Sequence, residues 1–444
     1  MMKKQRKSFF GVLAGIFSFA MITVMGTVPL YAETLEELKQ QLNALQKKVE
    51  AMEANQMKAP RDSPEDPASP YIVKGKSKGS FRLPDIKTDI TLGGYAKVDA
   101  VYSDKSAGTG SAADQFFVPT AIPLGDHDTG NDEMVIHGRQ SRLFFKSETE
   151  TDFGLLKTHI EGDFFGTGGN QKVSNSYSFR LRHAYGQLGN LLAGQYWSTF
   201  MNASAIPETL DFGGPAATLF IRQAQLRWTQ PFQWGSFQVS VENPETTLVS
   251  SDPGFTNTSP DNDQFPDIVA RVNFKTDFGN ISLAGIARQF SIDDDAYDDT
   301  MWGGAVGIGG RINTYGKDDL RFMLHYGNAI GRYMTTAYAG AILDAETGEL
   351  ETYDQWGGFL AYRHFWLDSL RSTIAYSYGG ADNDVKLVSE TANKSFQSLH
   401  ANLIWSPVPR THLGIEYLWG NREIENGEDG DLNRVQLSCQ YNFF

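Results

Sequence analysis

The chain has 444 residues, a net charge of −14 and a single cysteine. The acidic balance disfavours a nucleic-acid partner, and one cysteine excludes an intrachain disulfide. The length, with 44 glycines and 12% aromatic residues, exceeds a small sandwich and points to one large β domain with a short N-terminal appendage.

Residues 1–32 read as a secretory signal peptide: MMKKQRK is basic, SFFGVLAGIFSFAMITVMGTVPL is apolar, and the acidic ETLEELK follows Ala32. A retained inner-membrane anchor is the alternative, because the apolar stretch is long and Leu30 is a poor small residue two before Ala32. Cleavage removes four basic residues and no acid, so the net charge moves from −14 to about −18.

Residues 33–57 place Leu35, Leu38, Leu42, Leu45, Val49 and Met52 at alternating spacings of three and four. This predicts an α-helical coiled coil of about three heptads, marginal alone and therefore self-associating; a lone amphipathic helix is the alternative. Residues 58–89 carry five prolines and read as an extended linker.

From Ile90 the period becomes two, with apolar stripes such as Ile90, Leu92, Ala96, Val98 and Ala100 opposite Thr91, Tyr95, Lys97 and Asp99. Sixteen such segments follow, from 90–102 to 432–444. Short connections (151–154, 189–190, 230–235, 276–280, 315–318, 366–369 and 406–410) alternate with long polar ones such as 103–133, 243–266, 328–351 and 422–431. The fold class this predicts is all-β: a 16-stranded antiparallel transmembrane β-barrel over 90–444 in the outer membrane of a Gram-negative bacterium. Turns and both barrel ends, hence the coiled coil, would lie in the periplasm. A soluble sandwich or propeller would leave the outer faces polar; here a charged face recurs on nearly every strand, enough to line a water-filled lumen.

With apolar stripes turned to lipid, the lumen face of the first half is basic: Lys97, Arg142, Lys146, Lys157, Arg180, Arg182, Arg227, Arg271 and Lys275, interrupted by Asp99, Glu148, Glu161 and Asp163. Arginine facing mid-bilayer would cost about 2–4 kcal/mol, which favours this phase. In FRLRHAYG it turns Phe179, Leu181, His183 and Tyr185 outward. The arginines either face passing solutes or only pair with neighbouring acids to brace the wall.

The connection at about 197–223 is rich in Ala, Gly, Phe and Leu, unlike the other long loops, and is expected to fold into the lumen as the third loop. Its Glu208 and Asp211, opposite the arginines, would set a transverse field across a constriction able to hold a small anion. A loop that merely caps the mouth is the alternative.

The stretches ITLGGYAKVDAVYSD, RQSRLFFKSETETDFGLLKTHIEGDFFG and FRLRHAYGQLGNLLAGQYWSTFMNASAIPETLDFGGP, after N-terminal heptads and a Pro-rich linker, resemble the DcaP-like family of trimeric outer-membrane porins. The resemblance implies a 16-stranded homotrimeric barrel, a periplasmic coiled coil and uptake of small anionic solutes such as dicarboxylates. Within the quoted motifs it carries over Arg139, Arg142, Arg180, Arg182, Glu208 and Asp211; Arg222, Arg227 and Arg271 rest on the phase argument alone. The expected function is passive diffusion of anions, with a general porin lacking strong solute preference, or a coiled-coil cell-wall tether on a barrel anchor, as alternatives.

No enzyme is expected: the outward histidines His183 and His364 have no evident serine and acid partners. The eight histidines show no metal-ligand spacing such as HxxxH, and neither metal nor cofactor is called for. SIDDDAYDDT at 291–300 reads as a solvated outer loop, although such a run could share divalent cations with lipopolysaccharide. In the terminal VQLSCQYNFF, Tyr441 and Phe443 close the outward stripe, Phe443 being the in-phase aromatic read by the barrel-assembly machinery and Phe444 a one-residue extension. Lipid, lipopolysaccharide, the assembly machinery, further copies of the chain and small anions are thus the expected partners.

Overall fold

Alternation of apolar and polar residues produces sixteen antiparallel strands that close on themselves, satisfying every ladder group internally as hydrocarbon requires. In this computed structural model the described residues are 44, 47 and 48 and 72–443, apart from 84–86, 107–111, 126–131, 257 and 336. The signal peptide, the heptad residues Leu35, Leu38, Leu42, Leu45, Val49 and Met52, linker residues 58–71 and Phe444 lie outside them.

The strands are β1 (Thr88–Ser103), β2 (Glu133–His137 and Arg142–Thr151), β3 (Gly154–Asp163), β4 (Arg180–Leu188), β5 (Leu191–Trp197), β6 (Arg222–Phe232), β7 (Gly235–Glu242) and β8 (Asp267–Thr276). They continue as β9 (Gly279–Asp293), β10 (Asp298–Asn313), β11 (Asp319–Gly327), β12 (Gln355–Leu367), β13 (Leu370–Ala381), β14 (Asn393–Trp405), β15 (Thr411–Ile424) and β16 (Asp429–Asn442). Each pairs with the next, and β16 closes on β1 from Arg434↔Ser103 to Asn442↔Tyr95. β2 breaks at 138–141, where the Ser141 hydroxyl accepts from the Lys97 amide at 3.0 Å. Leu92, Val98, Leu226, Ile374 and Ile415 are exposed on the outer face, whereas Lys97, Asp99, Glu161, Ser240 and Glu416 are buried on the inner one.

Two expectations change. The connections at 294–297 and 425–428 are only four residues long, because pairing continues to Asp293↔Asp298 and Glu423↔Asp429. The aspartate run at 291–300 is therefore a hairpin tip and not a long loop. The linker also enters the sheet early: Val73–Lys74 pairs with Phe81–Arg82, which pairs with Asp89–Ile90 of β1. That hairpin occupies the edge of β1 beyond the reach of β16, and Arg82 Nη2 lies 2.6 Å from Asp89.

The main apolar core lies inside the barrel. Loop 1 (104–132), loop 3 (198–221) and loop 6 (328–354) bring Phe117, Ile122, Met201, Leu219, Tyr333 and Met334 against wall residues Met323, Phe359, Ala375 and Leu418. Each large side chain so buried contributes roughly 1.5–3 kcal/mol. Wall glycines make the room: a Cβ on Gly357 or Gly379 would lie 2.8 or 2.9 Å from the Ala217 Cβ of loop 3.

Candidate functional site

A basic group of charged side chains lies on the lumen face of β2–β8, and a β-bulge creates part of it. Asp163 faces Arg180 and Gly162 faces Leu181, but Glu161 faces His183, leaving Arg182 as the extra residue. A bulge reverses the phase beyond it. His183 and Tyr185, expected outward, are therefore turned inward: His183 is buried against Tyr196 and Trp197, with ring centroids 4.9 and 5.2 Å away, and Tyr185 lies 5.5 Å from His159.

The bulge lets adjacent arginines share two acids. Arg180 holds Asp163 bidentately, Nε to Oδ1 at 2.9 Å and Nη2 to Oδ2 at 2.8 Å. Arg182 donates to Glu161 at 2.8 Å and to Asp163 at 2.9 Å, and Arg142 approaches Glu161 at 3.4 Å.

Further along the wall the acids are engaged elsewhere: Glu242 accepts from the Thr199 amide at 2.7 Å and Asp267 pairs with Arg288 at 3.1 Å. Arg222 sits over Trp197 and Phe220, 4.9 and 5.6 Å from their centroids, and Arg227 lies 5.0 Å from Tyr196. Neither makes an ion pair among the described residues, and Arg222 Nη1 and Arg227 Nε are buried without a hydrogen-bond partner. Arg271 donates only to neutral acceptors, the Gln238 Oε1 at 3.0 and 2.7 Å and the Met201 carbonyl. A guanidinium stacked on a ring keeps its in-plane donors for an anion.

Two cavities adjoin this track. One, of about 470 Å³ on the loop side, is lined by Phe116, Phe212, Phe220, Arg180, Arg222 and Arg332. The other, of about 380 Å³ towards the turns, is lined by Tyr196, Asn202, Ser204, Arg227, Arg271 and Lys275.

The loop acids are not where a transverse field needs them. Glu208 is clamped by Arg371, Nε to Oε2 at 2.9 Å and Nη2 to Oε1 at 2.6 Å, and by Arg363 at 3.0 Å. Asp211 is buried, accepting from the Phe117 amide at 2.9 Å and from Arg434 at 3.2 Å. Both acids face β12, β13 and β16 and not the first-half arginines, because loop 3 crosses the lumen and anchors on the far wall. Its Leu210 amide donates to Glu416 at 2.6 Å, and its Ala216 and Ala217 amides to Ser398 and Ser377 at 3.0 and 2.9 Å. Burial would raise the Glu208 carboxyl, but hydrogen bonds from Arg371 and Arg363 outweigh it and hold the group down at about 2.

Arg139 also braces: it donates to the Phe164 and Gly166 carbonyls at 3.0 and 2.7 Å and stacks 3.9 Å from Tyr177. The far-wall set Arg311, Arg321, Arg363 and Arg371, gathered around Asp319 and Glu208, is absent from the sequence-based site. The phase argument that found Arg271 applies equally to Arg371, whose strand alternates outward Ile374 and Tyr376 with inward Thr373 and Ser377.

A family model described as DcaP outer membrane protein matches residues 70–443. No curated relative matches the chain. Among solved structures, the outer membrane channel DcaP of Acinetobacter baumannii superposes with a TM-score of 0.69 at 22% identity, covering 84% of this chain and 100% of that one. Outer-membrane-expressed OmpT of Vibrio cholerae gives 0.51 at 10% identity, over 84% and 100% of the two chains. Salmonella typhi OmpF in complex with daunomycin gives 0.50 at 10%, over 80% and 98%. At such identities the likeness is one of fold.

Proposed function

The chain belongs to the DcaP outer membrane protein family, and on that premise we propose that this outer-membrane β-barrel channel passes small anionic solutes, dicarboxylates among them, by passive diffusion along the arginine track of β4, β6 and β8. The observation that carries the reading is the pair Arg222 and Arg227: ring-stacked, on the lumen wall, with donors left over and no carboxylate partner among the described residues. Such groups attract an anion into the lumen without closing around it, so that binding stays weak enough to release. Loop 3, pinned to the opposite wall, narrows the route and is not itself the counter-charge.

The working unit is a homotrimer with the turns and the N-terminal segment on the periplasmic side, held in lipid and lipopolysaccharide. Planar-bilayer recording in a KCl gradient tests this: closure in three equal steps and an anion-preferring reversal potential are expected, with succinate reducing the current. A cation-preferring potential would reject the solute class, and a potential near zero with no succinate effect would make the channel a general porin.

A further inference from the structure

We propose that the lumen holds a second anion site on the turn side of loop 3, built for compact oxyanions of charge −2, with inorganic phosphate and phosphate monoesters as the shared chemistry. The proposal rests on the reading of the lumen as an anion passage and divides that passage in two.

The two cavities differ in composition. On the loop side, Arg180 is neutralised by Asp163 and Arg332 approaches Asp267 at 3.4 Å, leaving only Arg222 unpaired among phenylalanine rings. That surroundings suits one carboxylate on an apolar body. On the turn side, Arg227, Arg271 and Lys275 line a cavity that no Asp or Glu lines, and none of the three makes an ion pair among the described residues. Arg227 is only 7% exposed, yet its Nε has no partner. A cation that buried with an open donor is incompletely solvated; with Arg271, which donates only to neutral acceptors, and the exposed Lys275 beside it, the cavity carries three positive charges, best compensated by an anion whose charge is concentrated on one centre.

The remaining lining supports an ion with several acceptor oxygens. Ser198, Asn202, Ser204, Ser236, Asn273 and Asn280 surround the cations with hydroxyls and amides. Ser204 hydrogen-bonds Asn280 at 2.6 Å, and Asn202 is fixed by Ser282 at 2.9 Å, so these groups are held in place before an ion arrives. A tetrahedral dianion accepts from all directions at once, which an extended dicarboxylate does at only its two ends.

The test uses the full-length channel in planar bilayers of KCl at pH 7.5, titrated separately with inorganic phosphate and with glucose 6-phosphate. Either ion should reduce the current, and Lys275→Met and Arg227→Met should each raise the half-blocking concentration about tenfold, the loss of one charge-assisted contact. Arg222→Met should leave phosphate block within about twofold while weakening succinate block. Lys275 is exposed and makes no ion pair, so its variant keeps the fold even if Arg227→Met does not. Equal phosphate block in wild type and Lys275→Met, or block moved only by Arg222→Met, would overturn the second site while the KCl reversal potential stays anion-preferring. A cation-preferring potential would instead overturn the passage on which the site rests.

Discussion

Glu208, in the middle of loop 3, is held by Arg371 of β13 through two nearly parallel hydrogen bonds of 2.9 and 2.6 Å, across 163 residues of sequence. The bidentate geometry makes this a charge-assisted anchor that fixes the loop's orientation as well as its position.

Its strength depends on ionisation. The folded carboxyl titrates at about 2 against an ordinary value of 4.5, so the anchor is fully present above about pH 4.5 and is lost as pH falls towards 2. Mean single-channel conductance, followed from pH 6 down to about pH 2, should therefore stay level to about pH 3 and change only at the acid end, as loop 3 loosens. Glu208→Gln should show the shifted conductance already at pH 6 and no further acid step; a variant that titrates like wild type would remove Glu208 from this role.

Arg222 makes no ion pair and is stacked on two rings, so its loss should alter selectivity more than stability. Arg222→Met should weaken succinate block about fivefold, equivalent to about 1 kcal/mol, the net worth of one hydrogen-bonded contact. Arg222→Glu should move the reversal potential towards cations. Unfolding in detergent, read as the heat at which the gel band shifts, should stay within a few degrees.

Asp211 and Arg434 form a pair with side chains 1% and 2% exposed. Removing one partner strands the other charge, at a cost of about 3–5 kcal/mol. Asp211→Asn should lower the heat-shift temperature clearly, and Asp211→Asn with Arg434→Leu should recover part of the loss. A double variant worse than the single would mean that the Arg434 bonds to Ser103 and the Ala113 carbonyl, at 2.9 and 2.7 Å, matter more than the ion pair.

Gly379 and Gly357 carry no side chain because loop 3 passes over them. Gly379→Val should displace the Ala216–Ala217 segment and destabilise the barrel by about 1–3 kcal/mol. A crystal structure of the variant with an unmoved loop would contradict that packing.

The Phe443 amide still donates to the Gly94 carbonyl at 3.0 Å, extending the seam by one residue beyond β16. Phe443→Ala should reduce the folded fraction in the outer membrane more than deletion of Phe444 does. Equal losses would shift the assembly signal to the terminal residue.

Much of this was readable from period-two patterns. Leu92 and Val98 against Lys97 and Asp99 fix a face without any knowledge of neighbours, because the side-chain period is two. What failed was local phase and distant pairing. The bulge at Arg182 adds one residue to a strand, which no alternation within FRLRHAYG reveals; it appears only when Glu161 is seen opposite His183. The arginine partners of Glu208 and Asp211 lie 155 to 223 residues away, so their charge could be read but not the wall on which it is neutralised. The composition of loop 3 pointed inward, yet its direction of crossing is set by Glu416, Ser377 and Ser398, ordinary residues until a backbone amide meets them.

The hairpin before β1 has a mechanical consequence. A pull on the chain at Ile72 would load Val73↔Arg82 and Lys74↔Phe81 first, then Phe81↔Ile90 and Arg82↔Asp89, before any rung of the sixteen-strand ladder. Tension arriving through the N-terminal segment is thus taken up by a short sacrificial joint, reinforced by the Arg82–Asp89 contact, and the wall of the pore is spared until that joint has opened.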